Sequence, residues 1–212
     1  MRALISILSL FICLNALAAA DYDREKKWAD EILPSVLTGD PVYLEQADGH
    51  KFLSLYTQAD KARTAVILVH GIGVHPDWGL IGALRQRLAD AGHTTLSVQM
   101  PVLKAGAKGD DYVPSFDLAA QRLQQSVAWL KGKGYGRIAL VSHSLGCRMT
   151  YRYLSGSPDP SVAVPRWPPQ TAPLMAGQTA PGRTVGLCLL RGDGDTCGGL
   201  LEAVASAFEF KH

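Results

Sequence analysis

The chain has 212 residues, 47% hydrophobic and 19% charged, a composition that suits one globular domain, at most two, with a sizeable core. Its formal net charge is only +2 and no long basic run interrupts it, so nothing reads as a nucleic-acid footprint.

The N-terminus begins with the positive Met1-Arg2. An almost entirely apolar run over 3–14 follows, and Ala18-Ala19-Ala20 fits a small-residue cleavage rule. Residues 1–20 therefore read as a secretory signal peptide, because the apolar run falls short of the ~20 residues a membrane span needs. The expectation is a periplasmic or secreted protein with no stable membrane span after cleavage. Cys13 lacks the small residues that would precede a lipoprotein cysteine.

Residues 21–37 are polar with spaced Trp28, Ile32 and Leu33, the pattern of a surface helix. Residues 41–46 and 51–57 are strand-like, and Asp48-Gly49 between them is a hairpin signal. The continuous apolar run 65–69 suits a strand covered on both faces. Leu80, Ile81, Leu84 and Leu88 share one helical face, with Gly92 as a stop. Residues 94–100 form a strand ended by Pro101. Ala119, Leu123, Val127 and Leu130 give 116–130 a helical period that Lys131-Gly132-Lys133-Gly134 closes. A strand over 137–141 leads into a helix over 145–154. A hairpin followed by alternating strands and helices predicts an α/β architecture: a mostly parallel sheet with helices on both faces and an N-terminal antiparallel hairpin.

The pattern breaks after about Ser155. Residues 156–183 are rich in Pro, Gly, Ala and Thr, with Pro165, Pro168, Pro169, Pro173 and Pro181 among them, and carry no strand or helix pattern. A possible strand over 184–190 and a helix over 200–208 follow. The expected organisation is a signal peptide (1–20), an α/β core (21–155), an irregular Pro/Gly-rich segment (156–183) and an incomplete strand-helix remnant (184–212). Removal of 1–20 leaves Cys147, Cys188 and Cys197, an odd count that allows one disulfide plus a free thiol or none. Cys188 and Cys197, separated by a turn, are the expected pair, and Cys147 reads as a small core residue.

Ser144 of Ser142-His143-Ser144-Leu145-Gly146 falls between a strand and a helix, the context of a nucleophile elbow, whose sharp turn demands small neighbours such as Ser142 and Gly146. The helix beginning at Leu145 aims its free N–H groups toward the serine oxygen. His70-Gly71-Ile72-Gly73 directly follows the strand over 65–69, where a loop can donate a second N–H. In the α/β-hydrolase pattern that these residues resemble, the loop after this strand and the residue after the nucleophile donate the oxyanion-hole N–H groups, which implies Ile72 and Leu145 here, with glycines permitting close backbone approach. His70 reads as a structural histidine that holds this loop, and His143 as a packing or supporting residue. His75, Asp77 and Trp78 are weaker candidates for a wall of the site mouth, and a helix N-cap is the commoner role for a residue placed like Asp77. The polar loop over 104–111 is either a further wall or an ordinary solvated connection.

These two stretches, Val66-Ile67-Leu68-Val69-His70-Gly71-Ile72-Gly73 and Ser142-His143-Ser144-Leu145-Gly146, resemble the α/β-hydrolase superfamily. More narrowly, the run from His70 to Trp78, with Leu84-Arg85 and 96–101, resembles an uncharacterised family of exported bacterial hydrolase-like proteins. The resemblance spans roughly residues 25–160 and departs at Ser142, where the superfamily more often has Gly. It implies a serine hydrolase, carboxylesterase-like, acting on a small ester or acyl substrate without a metal or organic cofactor. It also implies the chain order Ser, acid, His. Asp195 of Arg191-Gly192-Asp193-Gly194-Asp195 is the candidate acid, with Asp193 in reserve. A solvated Asp-Gly turn is the alternative, and an Asp-x-Asp calcium loop lacks further oxygen ligands. The only histidine after Asp195 is His212, the chain's last residue. The C-terminal part is therefore expected to be atypical or altered, for example by a frameshift, which the other reading frames of the gene would reveal. The alternative is a hydrolase-fold binding protein that has lost catalysis.

Overall fold

The apolar run at 65–69 lies at the centre of the sheet. In the computed structural model, which describes residues 20–60, 62, 64–163 and 188–189, this run forms β3 (Thr64–Val69). Parallel neighbours β4 (Thr94–Val98) and β5 (Arg137–His143) flank it. Alternation along β3 sends its side chains to two separate cores. Ala65, Ile67 and Val69 join the core under α3 (Phe116–Gly132) and α4 (Leu145–Leu154), while Val66 and Leu68 pack with Ile81, Leu84 and Leu88 of α2 (Gly79–Asp90). The register pairs Leu55 with Ser97, and Ser97 with Leu68, so Leu55 lies on the α2 face. There Leu53 and Leu55 meet Ala29 of α1 (Tyr22–Ile32). Helices thus cover both faces.

The sheet is mixed: the expected parallel strands are there, and the expected antiparallel hairpin joins them in one sheet. The hairpin of β1 (Asp40–Glu45) and β2 (Lys51–Thr57) joins the same sheet through an antiparallel β2–β4 pairing, giving the order β1-β2-β4-β3-β5-β6. The hairpin turn follows Asp48-Gly49, with Gly49 at φ +85° and Asp48 Oδ1 accepting the His50 N–H at 3.0 Å. The segment 156–183 also contains a strand after all: β6 (Val162–Ala163) pairs in parallel with Ile138 and Ala139. Two residues are too short for a period to register in the sequence. β7 (Cys188–Leu189) pairs with Ser142 and His143 on β5, within the strand expected over 184–190. The helix expected over 200–208 lies outside the described residues.

Two further corrections are local. The N-cap of α2 is Trp78, without a side-chain cap. Asp77 instead pairs with Arg85, which is fully buried on α2, at 2.6 Å, and Arg85 also donates to Thr38 O. Cys147, buried on α4, is disulfide-bonded and so is not a plain core thiol. Spacing along the chain carries no information about which cysteine a helix brings against another. The side chains of Cys188 and Cys197 lie outside the described set. Among the described residues, no helix is long and apolar enough to cross a membrane.

Candidate active site

β5 ends at His143 and α4 begins at Leu145, so Ser144 alone makes the turn between them. It is the only non-glycine residue with positive φ among the described residues, at φ 53° and ψ −124°. An L-residue enters that region at an energetic cost of about 1–3 kcal/mol, sustained by its surroundings. Those surroundings are tight. A Cβ placed on Gly146 would lie 2.4 Å from His70 O and 2.8 Å from Val69 O, so only glycine lets the first turn of α4 reach the end of β3. A Cβ on Gly71 would lie 3.2 Å from Ser144 Cβ and 3.2 Å from His143 Nδ1. The loop after β3 and the turn after β5 therefore touch at Gly71 and Ser144. Ser142, the departure from glycine, is buried, and its hydroxyl is satisfied by Thr150 Oγ1 at 2.6 Å.

The loop His70-Gly71-Ile72-Gly73 is built on a buried histidine. The Met100 N–H donates to His70 Nε2 at 2.9 Å, so that nitrogen is the acceptor and the ring proton sits on Nδ1, which donates to Gly71 O at 2.8 Å. Burial pushes the His70 pKa down to about 3, so the ring is neutral. Gly71 C=O and Ile72 N–H belong to one planar trans peptide and point in opposite directions. With its carbonyl drawn to the buried ring, that peptide directs the Ile72 N–H away from the ring. Ile72 itself is 36% exposed at the loop tip. The Leu145 N–H, at the first position of α4, has no preceding turn to accept it. Ser144 therefore sits at the N-terminal, positive end of α4, with the loop that bears Ile72 against it at Gly71.

Beyond the loop, His75 is half-buried between Trp28 (5.8 Å between ring centroids) and Trp78 (5.5 Å), and Trp78 is 57% exposed. Burial lowers the pKa of both His75 and His143. The loop over 104–111 continues into a 3-10 turn (Gly109–Ser115) that approaches α4, where Arg148 pairs with Asp110 at 3.3 Å. Tyr112 Oη accepts the Leu103 N–H at 3.0 Å. A cavity of about 680 Å³ at the N-terminus of α1 is lined by Tyr22, Leu103, Lys104, Ala107 and Asp111 among others, and does not include Ser144. Among the described residues, no cluster of His, Cys, Asp and Glu is grouped to hold a metal ion, and no histidine ring nitrogen hydrogen-bonds the Ser144 hydroxyl. Asp193, Asp195 and His212 lie outside the described residues.

Sequence reasoning missed several polar residues, buried or partly buried, that support the loop and the strands beside it. Arg122 of α3 is fully buried, donates to Gln46 Oε1 (2.5 Å) and Gln99 O (3.0 Å), and pairs with Glu25 at 3.0 Å. Its position on the Ala119-Leu123-Ser126 face was the available signal. Gln99 Nε2 lies 3.0 Å from His70 Nε2 and 3.3 Å from its acceptor Val74 O. Arg24 of α1 reaches Gly73 O and had no local signal.

Solved structures similar to the chain include an esterase of Pyrococcus furiosus (22% identity, 55% of this chain and 46% of that one, TM-score 0.46). Others are an esterase of Exiguobacterium antarcticum (18%, 58% and 42%, 0.45) and an α/β hydrolase of Novosphingobium aromaticivorans (21%, 59% and 42%, 0.42). The chain spans less than half the length of each. No curated protein matches it. A family described as "Protein of unknown function (DUF3530)" matches residues 7–112, half of the chain, and the chain belongs to that family.

Proposed function

We propose that this chain is an exported serine hydrolase of the α/β-hydrolase type, acting on a small ester or related acyl substrate, with Ser144 as nucleophile. The observation that carries the reading is the backbone of Ser144, at φ 53° between β5 and α4, in contact with the loop that bears Ile72. A serine held in that conformation, with Gly146 closing α4 onto the end of β3 and Gly71 of the loop after β3 against its Cβ, has a geometry that an ordinary turn serine does not need. In the proposed reaction Ser144 Oγ attacks the acyl carbon and loses its proton to a histidine. The carbonyl oxygen becomes an oxyanion held by the Ile72 and Leu145 N–H groups. Collapse expels the alcohol, which takes the proton from that histidine, and water then releases the acid by the same steps. His212 and Asp195 are the proposed base and its orienting acid. Export follows from the signal-like residues 1–20, with Asp21 as the first residue of the mature chain.

A second reading, a hydrolase-fold binding protein without turnover, is favoured by the Ser144 hydroxyl, which no histidine among the described residues reaches. One experiment separates the two. The purified chain is treated with a fluorophosphonate probe, and its tryptic peptides are weighed. Stoichiometric label on the Ser144 peptide, absent in Ser144→Ala, is the result expected of the hydrolase. A folded, unlabelled parent selects the binding protein. Ester turnover in His212→Ala and Asp195→Asn then tests the base and the acid, and unchanged rates eliminate them.

A further inference from the structure

The loop that carries Ile72 has two carbonyl anchors, and the buried ring of His70 holds only the first, Gly71 O. The second is Gly73 O. Gly73 has φ +64°, a conformation open to glycine, and the next carbonyl, Val74 O, is held by Gln99 Nε2 at 3.3 Å, so the tip between them can pivot at Gly73 unless Gly73 O is itself held. That restraint comes from α1. Its first turn is docked on the segment after β4: the Asp21 N–H donates to Val102 O at 2.7 Å, and the Val102 N–H donates to Glu25 Oε1 at 3.3 Å. From this base Arg24 extends one amino group to Leu103 O at 2.6 Å and the other to Gly73 O at 3.3 Å, with its guanidinium carbon 4.4 Å from the Trp28 ring centroid. A planar fork stacked on an aromatic ring satisfies two carbonyls at a fixed separation, which a lysine ammonium does not reproduce.

We propose that Arg24 is a positioning residue for the oxyanion hole: by bridging Gly73 O and Leu103 O it holds the Ile72 N–H in register with Ser144. This rests on the serine-hydrolase reading above. Arg24 touches no reacting atom and acts through the loop. Its loss therefore weakens binding of the developing oxyanion more than binding of the substrate, and the deficit falls on kcat with KM little changed.

The test compares the full-length parent with Arg24→Met and Arg24→Lys, and with Lys26→Met, which removes only an exposed pair with Asp30 on the same helix. The readouts are the second-order rate of fluorophosphonate labelling at Ser144 and the kcat and KM for p-nitrophenyl acetate. Loss of one oxyanion donor lowers kcat by about a hundredfold or more, so displacing one without deleting it is expected to lower both rates by about tenfold in Arg24→Met. Arg24→Lys is expected to recover part of that rate, and Lys26→Met to match the parent. If Arg24→Met does not fold, the Arg24→Lys deficit in kcat carries the test. A labelled parent whose folded Arg24 variants react at the parent's rate, or lose only KM, overturns the assignment of Arg24 alone. A folded parent that takes no label overturns the hydrolase reading, and this proposal with it.

Discussion

Replacing Gly146 with alanine sets two opposite effects against each other, and the structure decides which wins. In an unobstructed helix, Gly→Ala stabilises by about 1 kcal/mol through backbone entropy. At Gly146 the new methyl would lie 2.4 Å from His70 O, 2.8 Å from Val69 O and 3.0 Å from Val69 Cγ1. Two of these are backbone atoms, so no rotamer change relieves the overlap, and the first turn of α4 must retreat from the end of β3. Overpacking of this kind costs about 1–3 kcal/mol, which leaves a net loss of up to about 2 kcal/mol. In a chain of this size each kcal/mol lowers Tm by about 2–4 °C. The same retreat moves Ser144 and the Leu145 N–H away from Gly71, and a displacement approaching 1 Å costs on the order of a hundredfold in rate. Urea unfolding followed by tryptophan fluorescence measures the first effect, and the fluorophosphonate labelling rate the second. Gly132→Ala is the control: it lies at the end of α3 with no atom within 4 Å of the added Cβ, and should be neutral or stabilising. A Gly146→Ala protein as stable as that control would refute the close approach of α4 to β3.

Ser144→Gly and Ser144→Ala should both abolish labelling yet differ in stability, Gly exceeding Ala by about 1 kcal/mol because only glycine relaxes at φ 53°; equal unfolding midpoints would contradict the strained turn. His70 is neutral when folded, with its pKa at about 3 against an ordinary value of 6.5. The unfolded chain therefore binds the extra proton first. The stabilisation is complete above pH 6.5 and is lost as pH falls from 6.5 toward 3, by about 1.4 kcal/mol per pH unit. In His70→Gln the slope of unfolding free energy against pH over that window should flatten by this amount, and parallel slopes would exclude His70 as the titrating group. Arg85→Met leaves the Asp77 carboxylate without its buried partner and should lose about 3 kcal/mol, part of which Asp77→Asn in the same chain restores. A loss under about 0.5 kcal/mol would show the pair to be dispensable.

Much of the architecture is legible in local sequence because helix and strand periods are local properties. The β2 boundaries at Lys51 and Thr57 and the α4 boundaries at Leu145 and Leu154 follow from their runs and punctuation, and the alternation of β3 into two cores follows from five consecutive apolar residues. The hairpin was legible, but its antiparallel union with β4 was not, because nothing in 51–57 states which strand lies beside it. The two-residue β6 was too short to carry a period. Asp77 precedes a helix and so resembles a cap, but it is recruited by Arg85, whose burial among apolar neighbours no local window reveals.

The sequence by itself determined the order of the elements, the small residues around Ser144 and the glycines on the loop after β3. These are constraints on single turns, and a turn's chemistry is written in its own residues. Only the tertiary structure decided that Gly71 rests against Ser144, that Cys147 is disulfide-bonded, and that Glu25 meets Arg122. It also decided that Arg24 spans 49 residues to Gly73 and 79 to Leu103. Such contacts depend on the order of strands in the sheet, which brings distant segments to one edge. A residue's own neighbours along the chain carry no record of what that edge will place beside it.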